Sequence, residues 1–294
     1  MTTLHLPLKS LPKALAFDVF GTVVDWHGGV ASEAALLAGK LQVAGDWSAF
    51  ANEWRAGYVP AMDKVRSGEL PWTHIDTLHR MILEQIIERH GLGAASEAER
   101  DHLVRAWHRL PPWADTVPGL TRLKKRFTVT PLSNGNFSLL TNMAKHSGLP
   151  WDCVISAELF GHYKPDPETY LGCARLLDVA PTELMLVACH PSDLRAARSN
   201  GLRTAYVYRP LEHGPSTVLP AFTEGEFDLV ANDFEHLAEL LNAGQFTHSP
   251  AQVSMHASTH ASLRGATLSP GAPAAVPPVP APVPERCRPA RCGR

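Results

Sequence analysis

Asp18 stands directly after a short apolar run in the stretch "ALAFDVFGTVVDW", residues 14–26. An aspartate at the tip of a strand, in partly apolar surroundings, is suited to nucleophilic attack that forms an ester intermediate. Thr22 follows four residues on. Two residues after Asp18 the chain carries the apolar Phe20. Three more polar clusters follow apolar runs downstream: Ser133 with Asn134, then Lys164, then Asp193. Alone, each has an ordinary reading, since Asp caps helices, Ser-Asn-Gly forms turns and "KPDPETY" starts a helix.

The elements around these residues give them a common address. Four apolar runs read as buried parallel strands: 14–20, 127–134, 184–189 and 204–209, with 153–159 as a further short edge. Helical patterns lie between them at 138–149, closed by Gly148, at 167–179, and at 193–202, ending near Gly201. The alternation predicts an α/β fold, a Rossmann-like doubly wound parallel sheet. Functional residues of such sheets gather at the strands' C-terminal ends, which would bring all four clusters to one crevice. Residues 27–110 break the rhythm and read almost wholly as helix, so they are expected to form an inserted helical cap over that edge. The core domain is then 1–26 and 111–244. From residue 245 to 294 the chain turns rich in proline and alanine with no periodic apolar face, and is expected to be a disordered tail.

Bulk properties narrow the partners. The chain has 294 residues with a formal net charge of -2 and 19% charged residues, which offers nothing to nucleic acid or an anionic membrane. Its densest basic cluster, "RLKKRF" (122–127), reads as a solvated helix end before a strand. The five cysteines (153, 173, 189, 287 and 292) show no disulfide framework and suit a reducing cytosol. Cys287 and Cys292 have no second pair to complete a zinc site, and no histidine pair with a third ligand stands out, so no metal is expected. No cleavable signal is legible in "MTTLHLPLKSLPK", and no run of eighteen apolar residues occurs. The expectation is a soluble, cytoplasmic protein acting on a small molecule without a cofactor.

Taken in order, Asp18 with Thr22, Ser133 with Asn134, Lys164 and Asp193 resemble the motifs of the haloacid dehalogenase superfamily over roughly residues 12–242. Phosphatases of that superfamily carry a second Asp two positions after the nucleophile, and a magnesium-binding acid four positions before the equivalent of Asp193. Here those places hold Phe20 and Cys189. Without that general acid an alkoxide leaves poorly, whereas a halide leaves as a stable anion and needs only donors to receive its charge. The stretch "DVFGTVVDW" is similar to the first motif of the (S)-2-haloacid dehalogenases. That resemblance implies Asp18 as nucleophile and Thr22 as its support. Arg55, in "EWR", and Asn134 would receive the halide, and Ser133 would bind the substrate carboxylate. Lys164, followed by Tyr170 as in the family's pattern, would keep Asp18 ionised, and Asp193 would orient the lysine and help position water. Phe20, Trp54 and Tyr58 are candidates for an apolar wall. The fourth motif departs from the family: Ala188 and His190 stand where it has serine and asparagine, and Ala56 stands where glutamine is common. His190 is therefore a candidate hydrogen-bonding partner or base. The resemblance also implies a 2-haloacid substrate and a homodimer. The alternatives weighed are a magnesium-dependent phosphatase of the same fold and a noncatalytic relative that binds a small carboxylate.

Overall fold

A computed structural model of the chain describes residues 11–215 and 217–243. The expected tail, with Cys287 and Cys292, lies outside them. In chain order the first strand is β1 (Ala14–Phe17), and then come α1 (Trp26–Leu41), α2 (Trp47–Ala56), α3 (Tyr58–Arg66), α4 (Ile75–Ile86) and α5 (Glu97–Val104). A 3-10 turn at Arg105–His108 leads to α6 (Thr116–Leu123), β2 (Thr128–Ser133), α7 (Phe137–Ser147) and the short β3 (Ile155–Ser156). The rest is α8 (Pro167–Leu176), β4 (Leu184–Ala188), α9 (Pro191–Ser199), β5 (Arg203–Val207), β6 (Leu229–Ala231) and α10 (Phe234–Ala243).

The six strands form one sheet in the order β3-β2-β1-β4-β5-β6, and every pairing is parallel. From β1 the chain winds outward through β2 and β3, then returns to β4 on the other side. The winding therefore reverses beside β1, where crevices form in doubly wound sheets. Phe17 is in register with Pro131 of β2 and Val187 of β4, so the residues just past these strands emerge side by side.

Two-residue periodicity divides β1 between the two faces of the sheet. Leu15 and Phe17 join Val187, Phe234 and the cap aromatics in one core, while Ala14 and Ala16 join Leu186, Tyr170 and Tyr206 in the other. Burial on both faces is why these strands read as unbroken apolar runs. Helix ends follow local chemistry: Gly148 closes α7 at φ 64°, and prolines open α8 and α9 at their first turns.

Between β1 and α6 the structure is helical, matching the expected cap. The helical stretch "WSAFANEWRAGYVPAMDKV" divides at Gly57 because Pro60 offers no N–H to the carbonyl of Ala56, and α4 packs so closely there that a Cβ would lie 2.5 Å from Ile82 Cγ2. All described residues belong to one compact unit, and the division at 27 and 110 is one we propose from the element pattern. The basic cluster is a solvated helix end as expected: Arg122 faces Glu235 and Glu239, and Lys124 lies 2.9 Å from Asp152. Cys153, Cys173 and Cys189 are free thiols. No helix among the described residues is long and apolar enough to cross a membrane.

Candidate active site

Asp18 emerges from β1 with its backbone N–H donating to Val187 O of β4 at 3.0 Å, which fixes the turn at the sheet's centre. Its side chain is 11% exposed and held from three sides. Lys164 Nζ donates to Oδ1 at 2.8 Å, Thr22 Oγ1 donates to Oδ2 at 2.8 Å, and His190 Nδ1 lies 3.0 Å from Oδ2. Burial works to raise the pKa of Asp18, but the adjacent Lys164 and His190 outweigh it and hold the carboxyl well below the usual range. Asp18 is thus an anion at any pH near neutral.

The lysine is itself locked. Lys164 Nζ also donates to Asp193 Oδ2 at 2.5 Å, and Tyr170 donates its hydroxyl proton to Asp193 Oδ1 at 2.7 Å. Desolvation would lower the pKa of Lys164, yet the two carboxylates push it above its ordinary value. Asn134, just past β2, clamps the lysine backbone: Lys164 N donates to its Oδ1 at 2.7 Å, and its Nδ2 donates to Lys164 O at 3.3 Å. Thr22, its hydroxyl proton given to Asp18, accepts from Cys189 N at 3.0 Å and so ties β1 to β4.

Above Asp18 opens a cavity of about 460 Å3. Asp18, Lys164, Asn134, Tyr170, His190 and Asp193 line it from the sheet side, and Arg55, Tyr58 and Met62 from the cap. Phe20 joins this wall and meets Trp107, Tyr58 and His79 edge-on, so an aromatic cluster occupies the place of a second acid. The Arg55 guanidinium lies 4.2 Å from the centre of the Tyr58 ring, and its buried Nη1 has no hydrogen-bond partner among the described residues. Arg66 of α3 reaches from the cap to Asp166 at 2.8 Å, at the start of α8.

All the candidate site residues singled out in the sequence except Ser133 and Trp54 therefore meet around Asp18. Ser133 does not reach the cavity. It is buried at the end of β2, where its Oγ accepts from Gly135 N at 3.2 Å and shapes the turn. Trp54 also stays out of the wall, packing in the cap core with its indole N–H donating to His79 O at 3.0 Å. His79 is itself fully buried, stacked on Trp107 at 4.2 Å, and desolvation drives its pKa down to about 3.

One acid was missed. Glu212, in the loop after β5, accepts from His190 Nε2 at 2.7 Å and from Trp26 Nε1 at 3.3 Å. It is buried, and although burial alone would raise its pKa, the His190 cation holds it near 2. Burial disfavours charge on His190 too, but the carboxylates of Glu212 and Asp18 raise its pKa well above the ordinary value. Gly21 permits this approach: φ is +84°, and a Cβ there would lie 2.3 Å from Glu212 Oε1. Arg209, also missed, grips Asp115 with two donors at 2.8 and 2.9 Å and donates Nε to Thr22 O, fastening the β5 loop to the β1 loop. The signal for both was their place just beyond a strand, in "RPLEHG".

Candidate metal donors fit poorly here. Cys189, His190 and Glu212 have donor atoms within 4.8 Å of one another. However, burial raises the Cys189 pKa and keeps it a thiol, and both histidine nitrogens are engaged by carboxylates. Cys189, His190 and Glu212 are instead joined to one another, and to Asp18, by hydrogen bonds. The other such group, His162, Asp166 and Glu168, is on the surface.

Residues 12–201 match the family model of haloacid dehalogenase-like hydrolases. The chain is 28% identical over 208 residues to (S)-2-haloacid dehalogenase 1 of Pseudomonas sp. (strain CBS-3), spanning 67% of this chain and 85% of that protein. Among solved structures, a defluorinating L-2-haloacid dehalogenase superposes with a TM-score of 0.76 at 42% identity, covering 82% of this chain and 100% of its own. A second L-2-haloacid dehalogenase gives 0.75 at 46% identity, covering 79% and 99%. With a doubly wound sheet, a helical cap and this arrangement around Asp18, the chain belongs to the haloacid dehalogenase-like hydrolases.

Proposed function

We propose that this protein is a hydrolytic dehalogenase of short (S)-2-haloalkanoic acids that works through an aspartyl ester on Asp18. The observation that carries the reading is one carboxylate, held ionised by Lys164 and His190 on the floor of a largely apolar cavity, with Phe20 where an acid would be needed to expel an alkoxide. Asp18 attacks the substrate's C2 carbon, the carbon–halogen bond breaks in line, and the halide departs with the bonding pair. Arg55 supports the exit. Its buried Nη1 is an unspent donor beside the cavity, so a developing anion gains there what no existing contact must give up. Lys164 and Thr22 hold the nucleophile in place, while Tyr170 and Asp193 hold the lysine. Water then cleaves the ester to give the 2-hydroxy acid. Similarity to proteins named as (S)- and L-2-haloacid dehalogenases supports the substrate class and its handedness.

The test is halide release from both enantiomers of 2-chloropropionate, with fluoroacetate added because one similar structure is named as defluorinating. Wild type should release halide from the (S) form, and Asp18→Asn should release none. A chelator should leave the rate unchanged. Silence across a panel of 2-haloacids, or turnover that needs a divalent ion, would contradict the reading.

A further inference from the structure

The second half of that reaction needs a base for water, and the group expected to help with it is occupied. Both oxygens of Asp193 are engaged, one by Lys164 and the other by Tyr170. His190 is differently placed. Its Nδ1 faces the nucleophile, its Nε2 faces Glu212, and its ring lines two cavities at once. One is the substrate cavity; the other, of about 220 Å3, lies behind the site and is also lined by Cys189, Ser192, Tyr206, Glu212 and His213. His190 therefore stands between the ester-forming carboxylate and a second space beside the site.

We infer that His190 is the base that activates water for hydrolysis of the Asp18 ester, and that Glu212 is the positioning residue that orients and charges it. This rests on the aspartyl-ester reading above. In the resting site both His190 nitrogens face carboxylates, so the ring is a cation paired with Asp18 and Glu212. Esterification neutralises Asp18 and removes one of the two anions holding that cation, so Nδ1 sheds its proton to solvent. The neutral ring, its Nε2–H kept on Glu212, accepts a proton from water at Nδ1 as the water oxygen bonds to Asp18 Cγ. When the Cγ–O bond to the substrate breaks, the alkoxide takes the proton from Nδ1. The carboxylic proton of Asp18 then passes to His190, which restores the resting pair. One proton, one halide and one 2-hydroxy acid leave for each haloacid and water consumed, so the cycle balances.

The groups facing His190 are Asp18, with Lys164 on its far oxygen; the Cys189 thiol; and Glu212, with His213 at 3.8 Å and Arg55 nearby. Among them Glu212 is the anion that survives esterification, and so sets the basicity of His190 when it matters. Its carboxylate also fixes the tautomer by accepting from Nε2.

The experiment follows the two half-reactions separately in wild type, His190→Gln and Glu212→Gln, with folding checked by circular dichroism. Halide release is read by stopped flow and the Asp18 ester by intact-protein mass. Both variants should release about one halide per chain and then stall, the ester accumulating as its hydrolysis slows at least ~100-fold. In Glu212→Gln the acid limb of ester hydrolysis should move to lower pH, because loss of the anion lowers the His190 pKa; Glu212→Asp should restore most of the rate. A purely structural role for Glu212 would not move that limb. Ester hydrolysis within about threefold of wild type in either glutamine variant overturns the proposal, as does slowed halide release with no ester. If wild type itself releases no halide, the dehalogenase reading fails and takes this inference with it.

Discussion

Replacing Lys164 with methionine keeps most of the stem volume and removes the cation that Asp18 and Asp193 share. Lys164 Nζ sits 2.8 Å from Asp18 and 2.5 Å from Asp193, with its side chain only 7% exposed. At an effective dielectric of about 20, a unit pair at the first distance attracts by roughly 6 kcal/mol, and desolvation of both groups consumes part of that. Deleting one partner of a buried pair costs about 3–5 kcal/mol, because the other charge is left uncompensated. His190 still donates to Asp18 Oδ2, so the lower end, about 3 kcal/mol, is the expected loss of stability at pH 7. The pH dependence gives the sign. In wild type the lowered pKa of Asp18 contributes stability above the unfolded carboxylate value, and that contribution is lost only as pH falls toward the folded value. Without Lys164 the Asp18 pKa rises, so the anion can take up a proton in mild acid. The stability deficit should then be largest near pH 7 and shrink as pH falls toward ~5. Urea unfolding of both proteins across this range is the assay. A deficit below about 1 kcal/mol, or one that does not change with pH, would refute the claim that Lys164 compensates a buried anion.

Arg55→Met should slow halide release about 100-fold or more with little change in the fold, as stopped-flow halide detection would show, since it removes an unspent donor. His79 is buried with both ring nitrogens unpartnered and a folded pKa near 3, below its unfolded value. Stability should therefore fall by up to ~1.4 kcal/mol per pH unit as pH drops below about 6.5, and denaturation of His79→Leu should lack that slope. Gly21→Ala should cost about 1–3 kcal/mol in urea unfolding from its positive φ and should dislodge Glu212, slowing ester hydrolysis more than halide release.

Much of this site was legible because buried parallel strands announce themselves and place their next residues at one edge. Asp18, Asn134 and His190 follow β1, β2 and β4, and Lys164 with Tyr170 frames the start of α8. What escaped has physical reasons. Tyr208, Arg209, Pro210 and Leu211 separate Glu212 from β5, so the acid reads as loop until the chain folds it back over Gly21. The last strand has three residues and follows Asp228 directly, too short and too polar at its entry to register; α10 was likewise not picked out, although its apolar face is regular. The break at Gly57 was legible in Pro60, which has no N–H to give Ala56 and so ends the helix before it; the approach of Ile82, which keeps residue 57 small, was not. Ser133 was placed correctly along the strand, but its hydroxyl direction belongs to the turn it closes. The burial of His79 could have been read from the apolar face it shares with Ile75, Leu78, Ile82 and Ile86.

The central claim is that Asp18 bonds to substrate carbon and that water attacks the resulting ester rather than the haloacid. Turnover of (S)-2-chloropropionate in oxygen-18 water, followed by peptide mapping, tests this most directly. Heavy oxygen should enter the peptide that bears Asp18 and reach the product only after the first turnover. Labelled product from the first turnover, with an unlabelled Asp18 peptide, would mean that water attacks the haloacid itself and that the aspartate is no nucleophile.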